Sequence, residues 1–275
     1  MPHASPELDA YLRRIAYHGR EPGPDLQTLR AIHELHVAAI PFENLSPLLG
    51  TQVALDLPAL CQKLLIDGRG GWCFEHNTLL QHALTALGFT VRPLAARVAW
   101  NVPPGQVNPR THMLLHVELD GEPWIADAGF GGMMLSAPLR LAPHLPQDTP
   151  HGRFRLEPAD EGYRLEAELP DGWRALYAFD LRTQLPPDFE MANWYLSHHP
   201  QSPFVSRLMA ARAEPGRRHA LLNNRYTVHE QGASTVQMIE QPEALRQLLT
   251  VSFGIRLPQH PALEALLSRL TATTP

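Results

Sequence analysis

Nine consecutive residues, Arg69-Gly70-Gly71-Trp72-Cys73-Phe74-Glu75-His76-Asn77, carry the densest chemistry in this chain. Two glycines free the backbone to turn sharply, and the pattern after them places Cys73 in the first turn of a helix. A helix N-terminus offers unpaired N–H groups and the positive end of the macrodipole, both of which favour an anion. The thiolate is the form of cysteine that attacks, and such a setting with a nearby imidazolium lowers a thiol pKa by several units. The same N–H groups could hold the oxyanion of a tetrahedral intermediate. Without that context Cys73 would read as a small buried apolar residue, which is the reading kept for Cys61 on the inner side of the preceding helix.

A nucleophilic cysteine needs a base, and fifteen histidines compete for the role. Asp120-Gly121 is a strong two-residue hairpin signal, and pairing Leu119 with Glu122 sets Asp127 opposite Leu114. His112 and His116 flank Leu114 on that face, each a diagonal neighbour of Asp127. Pattern alone gives a His–Asp pair and leaves open which histidine it is. Beyond Asp127, Gly129-Phe130-Gly131-Gly132 lacks the GxGxxG spacing of a dinucleotide loop and the lysine-serine end of a phosphate loop. It reads as a turn that lets a bulky ligand approach the backbone.

These groups must be positioned by elements whose order is helical, then β, then mixed. Apolar residues recur at helical spacing at Leu8, Tyr11, Leu12 and Ile15 and again from Asp25 to Ile40, where Pro41 stops the run. Asp56 and Pro58 open a third helix that ends at Asp67-Gly68, and a fourth runs from Cys73 to Leu87. Thereafter the period is two, with strands near 90–100, 111–119, 122–128, 152–158, 161–169 and 173–180. A helix near 187–198 leads to strands near 205–212, 218–229 and 234–239 and helices near 242–252 and 261–270.

Composition removes several classes of function. The 275 residues allow one to three domains, and 44% apolar with 19% charged residues is ordinary for a soluble globular protein. Twenty-seven prolines are roughly twice the usual share and imply many turns. The 22 Arg against one Lys, Lys63, read with the Ala, Pro and Leu richness as codon bias, and patches such as Arg217-Arg218 as solvated faces. A net charge of -5 argues against nucleic acid or an anionic membrane as partner. Two cysteines build neither a disulfide framework nor a CxxC zinc site; with no signal-peptide h-region and no apolar membrane span, a cytoplasmic location is expected.

In order and spacing, the cysteine segment, Arg110-Thr111-His112 and Asp127-Ala128-Gly129-Phe130-Gly131-Gly132 resemble the arylamine N-acetyltransferase family. Ile40-Pro41-Phe42-Glu43-Asn44-Leu45 resembles its N-terminal signature, and Asn193-Trp194-Tyr195 through Ser197, Pro200, Ser202 and Phe204 its inter-domain segment. The match is weakest after about residue 205. The resemblance implies an α+β multidomain fold: a helical bundle at 1–89, an antiparallel β-barrel at 90–183, an inter-domain helical segment at 184–204 and an α/β lid at 205–275, around a cysteine-protease or transglutaminase-like Cys-His-Asp core. It implies acetyl transfer from acetyl-CoA to arylamines, arylhydrazines or N-hydroxyarylamines through an acetyl-cysteine, with Cys73, His112 and Asp127 as the triad. His112 is then the base and His116 a packed strand residue.

Within that reading Thr111, Gly129, Phe130 and Gly131 lie at the pantetheine end of coenzyme A, and Phe42, Phe130 and Phe204 line an aromatic acceptor pocket. Arg69 pins the glycine turn, with Glu75 as its expected partner. No metal is expected, and a homodimer is one admissible assembly. The main rival is a cysteine hydrolase or transglutaminase-like enzyme, which shares the order Cys, His, Asp. A metal-binding protein built on His33 with His36 or His198 with His199 is disfavoured, because neither pair has a second pair at ligand spacing.

Overall fold

Asp25 and Asp56 do what their position before an apolar period demands: each accepts a backbone N–H at N3, from Thr28 at 2.9 Å and Ala59 at 3.0 Å. The computed structural model describes residues 5–103 and 105–272. Its first third contains α1 (Pro6–Arg14), α2 (Leu26–Ala39), a short strand β1 (Phe42–Glu43), α3 (Leu45–Leu48), α4 (Leu57–Leu60) and α5 (Cys73–Ala86). The helix read from Asp56 to Asp67 exists, but its second half, Cys61–Ile66, winds as a π-helix.

The central β region comprises β2 (Thr90–Val98), β3 (Arg110–Leu119), β4 (Glu122–Ala126), β5 (Leu139–Arg140), β6 (Gln147–Thr149), β7 (Gly152–Ala159), β8 (Gly162–Leu169) and β9 (Gly172–Phe179). They form one antiparallel sheet in the order β5-β4-β3-β2-β9-β8-β7-β6. It curls nearly shut. At the seam, the side-chain amide of Gln147 accepts the N–H of Arg140 at 2.8 Å and donates to its carbonyl at 2.9 Å, a strand-like pair made by one side chain. Leu94, Leu114, Ile125, Phe154, Leu165, Leu176 and Tyr177 fill the interior. The opposite face of β3, Met113, Leu115 and Val117, packs on the helical core. His112 and His116 therefore share the barrel face of Leu114.

After α6 (Pro186–His198) come β10 (Met209–Glu214), β11 (Arg217–Leu222), β12 (Arg225–Glu230), β13 (Ala233–Met238), α7 (Pro242–Gln247) and α8 (Leu263–Ala272). The strand expected over 218–229 is in fact a hairpin. Asn223 takes a φ of 54° at its turn, a conformation asparagine tolerates better than other non-glycine residues, and the Asn-Asn pair lacks the glycine that marks most such turns. The helix expected over 242–252 becomes π-helical from Leu248 to Ser252. The sheet order β1-β10-β11-β12-β13 also takes its edge strand from the N-terminal third, where Phe42 pairs with Ala211.

Candidate active site

Gly70 and Gly71 make the turn into α5 because nothing larger fits. A Cβ on Gly70 would sit 2.0 Å from the Pro41 carbonyl oxygen, and one on Gly71 would sit 2.6 Å from a Glu75 carboxylate oxygen. The turn is stitched to β1 by Gly71 N–H to Pro41 O at 3.2 Å and Glu43 N–H to Gly71 O at 2.8 Å. Arg69 pins it, but not through Glu75: its guanidinium donates to Glu43 Oε1 at 2.8 Å and to Ser46 at 3.3 Å. Glu75 folds back to accept the Trp72 N–H at 3.1 Å and takes Lys63 Nζ at 2.6 Å. The partners differ from expectation because Arg69 faces Glu43 of β1, while Glu75 turns back on the start of its own helix, where Lys63 meets it. Trp72 is further fixed by its indole N–H to Asn193 at 3.0 Å, and Asn193 in turn donates to the Val53 carbonyl at 2.8 Å.

Cys73 thus opens α5, buried, with its thiol 3.7 Å from the Thr111 carbonyl. His112 stands beside it and donates to Asp127, Nε2 to Oδ2 at 2.7 Å. Asp127 is wholly buried, and its second oxygen accepts from Asn77 Nδ2 and the Gly129 N–H, each at 2.9 Å. Burial pushes the His112 pKa down, but the Asp127 charge and hydrogen bond, helped by Cys73, outweigh it and raise the value to about 10. Burial works against the Asp127 carboxylate as well, and His112, Asn77 and Gly129 overcome it to hold its pKa low. The arrangement is a buried carboxylate–imidazolium pair next to a thiol, which suits covalent acyl transfer.

His116 is buried away from this pair, its Nδ1 3.3 Å from Arg92 and its Nε2 3.5 Å from Glu118. Thr111 and Gly129 lie against Cys73, and Phe130 lies against His112. Phe130 packs edge-on to the His112 ring, centroids 5.1 Å apart. Gly131, at a φ of 75°, lies against the Phe42 ring. Phe42 and Phe204 belong to a second aromatic group, with centroids 6.4 Å apart; Phe204 meets Trp72 at 5.1 Å and Phe42 stacks on His76. Gly129 sits against the candidate nucleophile itself: a Cβ there would lie 2.5 Å from the Cys73 Cα, a main-chain atom with no room to yield. Gly129→Ala is expected to lower the rate of Cys73 acylation by about 100-fold or more, since misplacement of about 1 Å costs that much. Stopped-flow acylation by acetyl-CoA measures it, and a rate within threefold of wild type would refute the contact.

Asn77 and Asn193 stand inside the quoted segments without an assigned role, and Tyr177 stands in none of them. Asn77 had a signal, because it lies one helical turn after Cys73 and so on the same face. Tyr177 faces His112 across the barrel with ring centroids 4.8 Å apart, and Asn193 meets Trp72 from far along the chain; no local spacing encodes either contact. Arg218, expected on a solvated face, is buried, whereas Arg217 is exposed and pairs with Glu230. Among the described residues no cluster of His, Cys, Asp and Glu could hold a metal ion, and no helix is long and apolar enough to cross a membrane.

The N-acetyltransferase family model matches residues 25–262 of this chain. An arylamine N-acetyltransferase / N-hydroxyarylamine O-acetyltransferase of Salmonella typhimurium is 42% identical over 252 residues, 90% of this chain and 88% of that one. The chain belongs to the arylamine N-acetyltransferase family. An arylamine N-acetyltransferase of Mycobacterium tuberculosis is 39% identical over 276 residues, covering 98% of this chain and 97% of its own. Likeness extends to the fold. The Mycobacterium marinum arylamine N-acetyltransferase solved in complex with CoA superposes with a TM-score of 0.92 at 38% identity, over 96% of this chain and 99% of that one. The Salmonella typhimurium structure gives a TM-score of 0.91 at 39% identity, over 98% and 99%. The mixed α+β fold with its nearly closed barrel is thus the arylamine N-acetyltransferase fold, and the protein is an acyltransferase.

Proposed function

We propose that this arylamine N-acetyltransferase carries the acetyl group on Cys73 between two half-reactions. The supporting observation is the 2.7 Å bond between His112 and Asp127 beside the thiol at the start of α5. In the first half-reaction Cys73, held as the thiolate beside the His112 imidazolium, attacks the carbonyl carbon of acetyl-CoA. The bond to the CoA sulfur then breaks, and CoA leaves with the proton from His112. In the second, the nitrogen of an arylamine, arylhydrazine or N-hydroxyarylamine attacks the acetyl-cysteine, its proton passes to His112, and the C–S bond to Cys73 breaks. One thioester replaces another, so the first exchange loses little energy. In this reading the N–H groups at the start of α5 hold the oxyanion.

In this reading Thr111, Gly129, Phe130 and Gly131 meet the pantetheine arm, and Phe42, Phe130 and Phe204 meet the aromatic acceptor. The bundle at 1–89 presents the nucleophile, the barrel at 90–183 supplies its His and Asp, 184–204 links them to the rest, and 205–275 forms the lid. Acetyl-CoA is an intracellular metabolite and Cys73 must stay reduced, so the reading places the enzyme in the cytoplasm.

Incubation with acetyl-CoA is expected to add a single acetyl group to Cys73, seen by peptide mass, which disappears when an aniline or hydrazine is added. No adduct, or one that the amine does not remove, sinks the mechanism. A hydrolase would instead release CoA continuously without any amine.

A further inference from the structure

His33 and His36 lie three residues apart on α2, on one face of the helix, and both are fully buried. Each reaches a different side of the site. His33 Nε2 accepts the backbone N–H of Asp127 at 3.0 Å. His36 lies between Tyr11 and His76: its Nδ1 is 2.9 Å from the Tyr11 hydroxyl and its Nε2 is 2.9 Å from His76 Nδ1. His76 Nε2 ends the chain at the Pro41 carbonyl, 3.2 Å away.

The proton positions in this chain follow from its end. A carbonyl only accepts, so His76 carries its proton on Nε2 and accepts at Nδ1; His36 must then donate from Nε2 and accept the Tyr11 hydroxyl at Nδ1. The same logic fixes His33. Its Nε2 faces a donor, so its proton sits on Nδ1, where it meets no hydrogen-bond partner among the described residues. A buried N–H left unpaired is destabilising. The ring keeps that tautomer to serve Asp127. Burial holds His33 and His76 near a pKa of about 4 and His36 well below the ordinary value, so all three are neutral near pH 7 with fixed donors and acceptors.

We propose that His33 is a positioning residue for acyl transfer: through the Asp127 main chain it sets the carboxylate against His112, while His36 and His76 tie the same helix to the turn that carries Cys73. Helix α2 is then the common strut that spaces the His–Asp pair from the nucleophile. Thermodynamically the strut acts on geometry, not on charge, because none of its histidines is ionised. The inference rests on the Cys73–His112–Asp127 reading above.

The test is the pH dependence of Cys73 alkylation by iodoacetamide. Asp127 is faced by His112 of β3, Tyr177 of β9, His33 of α2 and, farther off, His76 of α5, with Cys73 beside His112. His33→Leu and His33→Phe remove the acceptor, whereas His33→Gln can return an oxygen to the Nε2 position. The apolar variants are expected to raise the alkylation midpoint by about one pH unit. They should also slow acylation by acetyl-CoA about tenfold or more with KM for acetyl-CoA little changed, since misplacement acts on the chemical step. His33→Gln should recover most of both. A merely structural role would lower the reactive fraction and leave the midpoint in place.

An unmoved midpoint in a folded apolar variant, or a His33→Gln protein as impaired as His33→Leu, overturns the proposal. A wild-type enzyme with no acid-shifted alkylation overturns the triad reading first, and this one with it. Independently of any variant, the 15N shifts of the wild-type His33 ring should show Nε2 without a proton and Nδ1 with one; the reverse tautomer overturns the assignment.

Discussion

Cys73→Ser is expected to lower acetyl transfer to an aniline by at least about 10⁴-fold while leaving the fold intact. Serine is nearly the size of cysteine, and the site is buried, so the thermal midpoint should hardly move. What changes is the chemistry. A hydroxyl ionises far less readily than a thiol, so His112 cannot generate the attacking anion at useful concentration. Were an acetyl-serine to form, an oxygen ester is a poorer acyl donor to an amine than the thioester it replaces, and the second half-reaction would stall. Cys61→Ser supplies the contrast. Cys61 sits half-buried in the π-helical stretch, where burial and Glu7 push its thiol pKa up, and its replacement should keep activity within about twofold. Steady-state transfer to an aniline measures both, and more than about 1% of wild-type activity in Cys73→Ser would remove the cysteine from the mechanism.

What could be read in advance divides by range along the chain. The Asp120-Gly121 turn takes φ of 52° and 76°, and the register it dictates, Leu119 with Glu122 through Leu115 with Ala126, carries Asp127 to the His112 side of the sheet. The start of α5 after two glycines was equally legible, because no other residue tolerates the close approach to Pro41 and Glu75. Both are local: a turn type and a helix start need only a few adjacent residues. Ion-pair partners were not local. Arg69 found Glu43 and Glu75 found Lys63, choices made by how β1 packs beside the glycine turn, and nothing in the spacing of those residues encodes it. The seam of the barrel depends on β5 and β6, too short to show a period, and on a side chain that substitutes for a strand. His33 and His36 were visible only as a histidine pair at helical spacing, which fits a metal site as well as a strut; only their partners across the core distinguish the two.

Which histidine does the work is a question the hairpin posed and could not answer, and it gives the second large effect. His112→Gln should reduce Cys73 acylation by about 10³-fold or more, because it removes the proton acceptor and the charge that Asp127 stabilises. His116→Gln should stay within about threefold, since His116 meets Arg92 and Glu118 and not the thiol. A reversal of the two would reassign the base. The same substitution tests the electrostatics. The folded pKa of His112 is raised from 6.5 to about 10, so its contribution to stability is full below pH 6.5 and is lost as pH rises through about 10. Asp127 is held below its ordinary 3.8, so its contribution is full above that value and is lost as pH falls through the lowered one. Both are complete between pH 3.8 and 6.5. The difference in thermal midpoint between wild type and His112→Gln should therefore be greatest in that window and shrink steadily toward pH 10. A difference that grows with pH would mean that His112 is neutral in the folded enzyme, and the carboxylate–imidazolium pair would have to be abandoned.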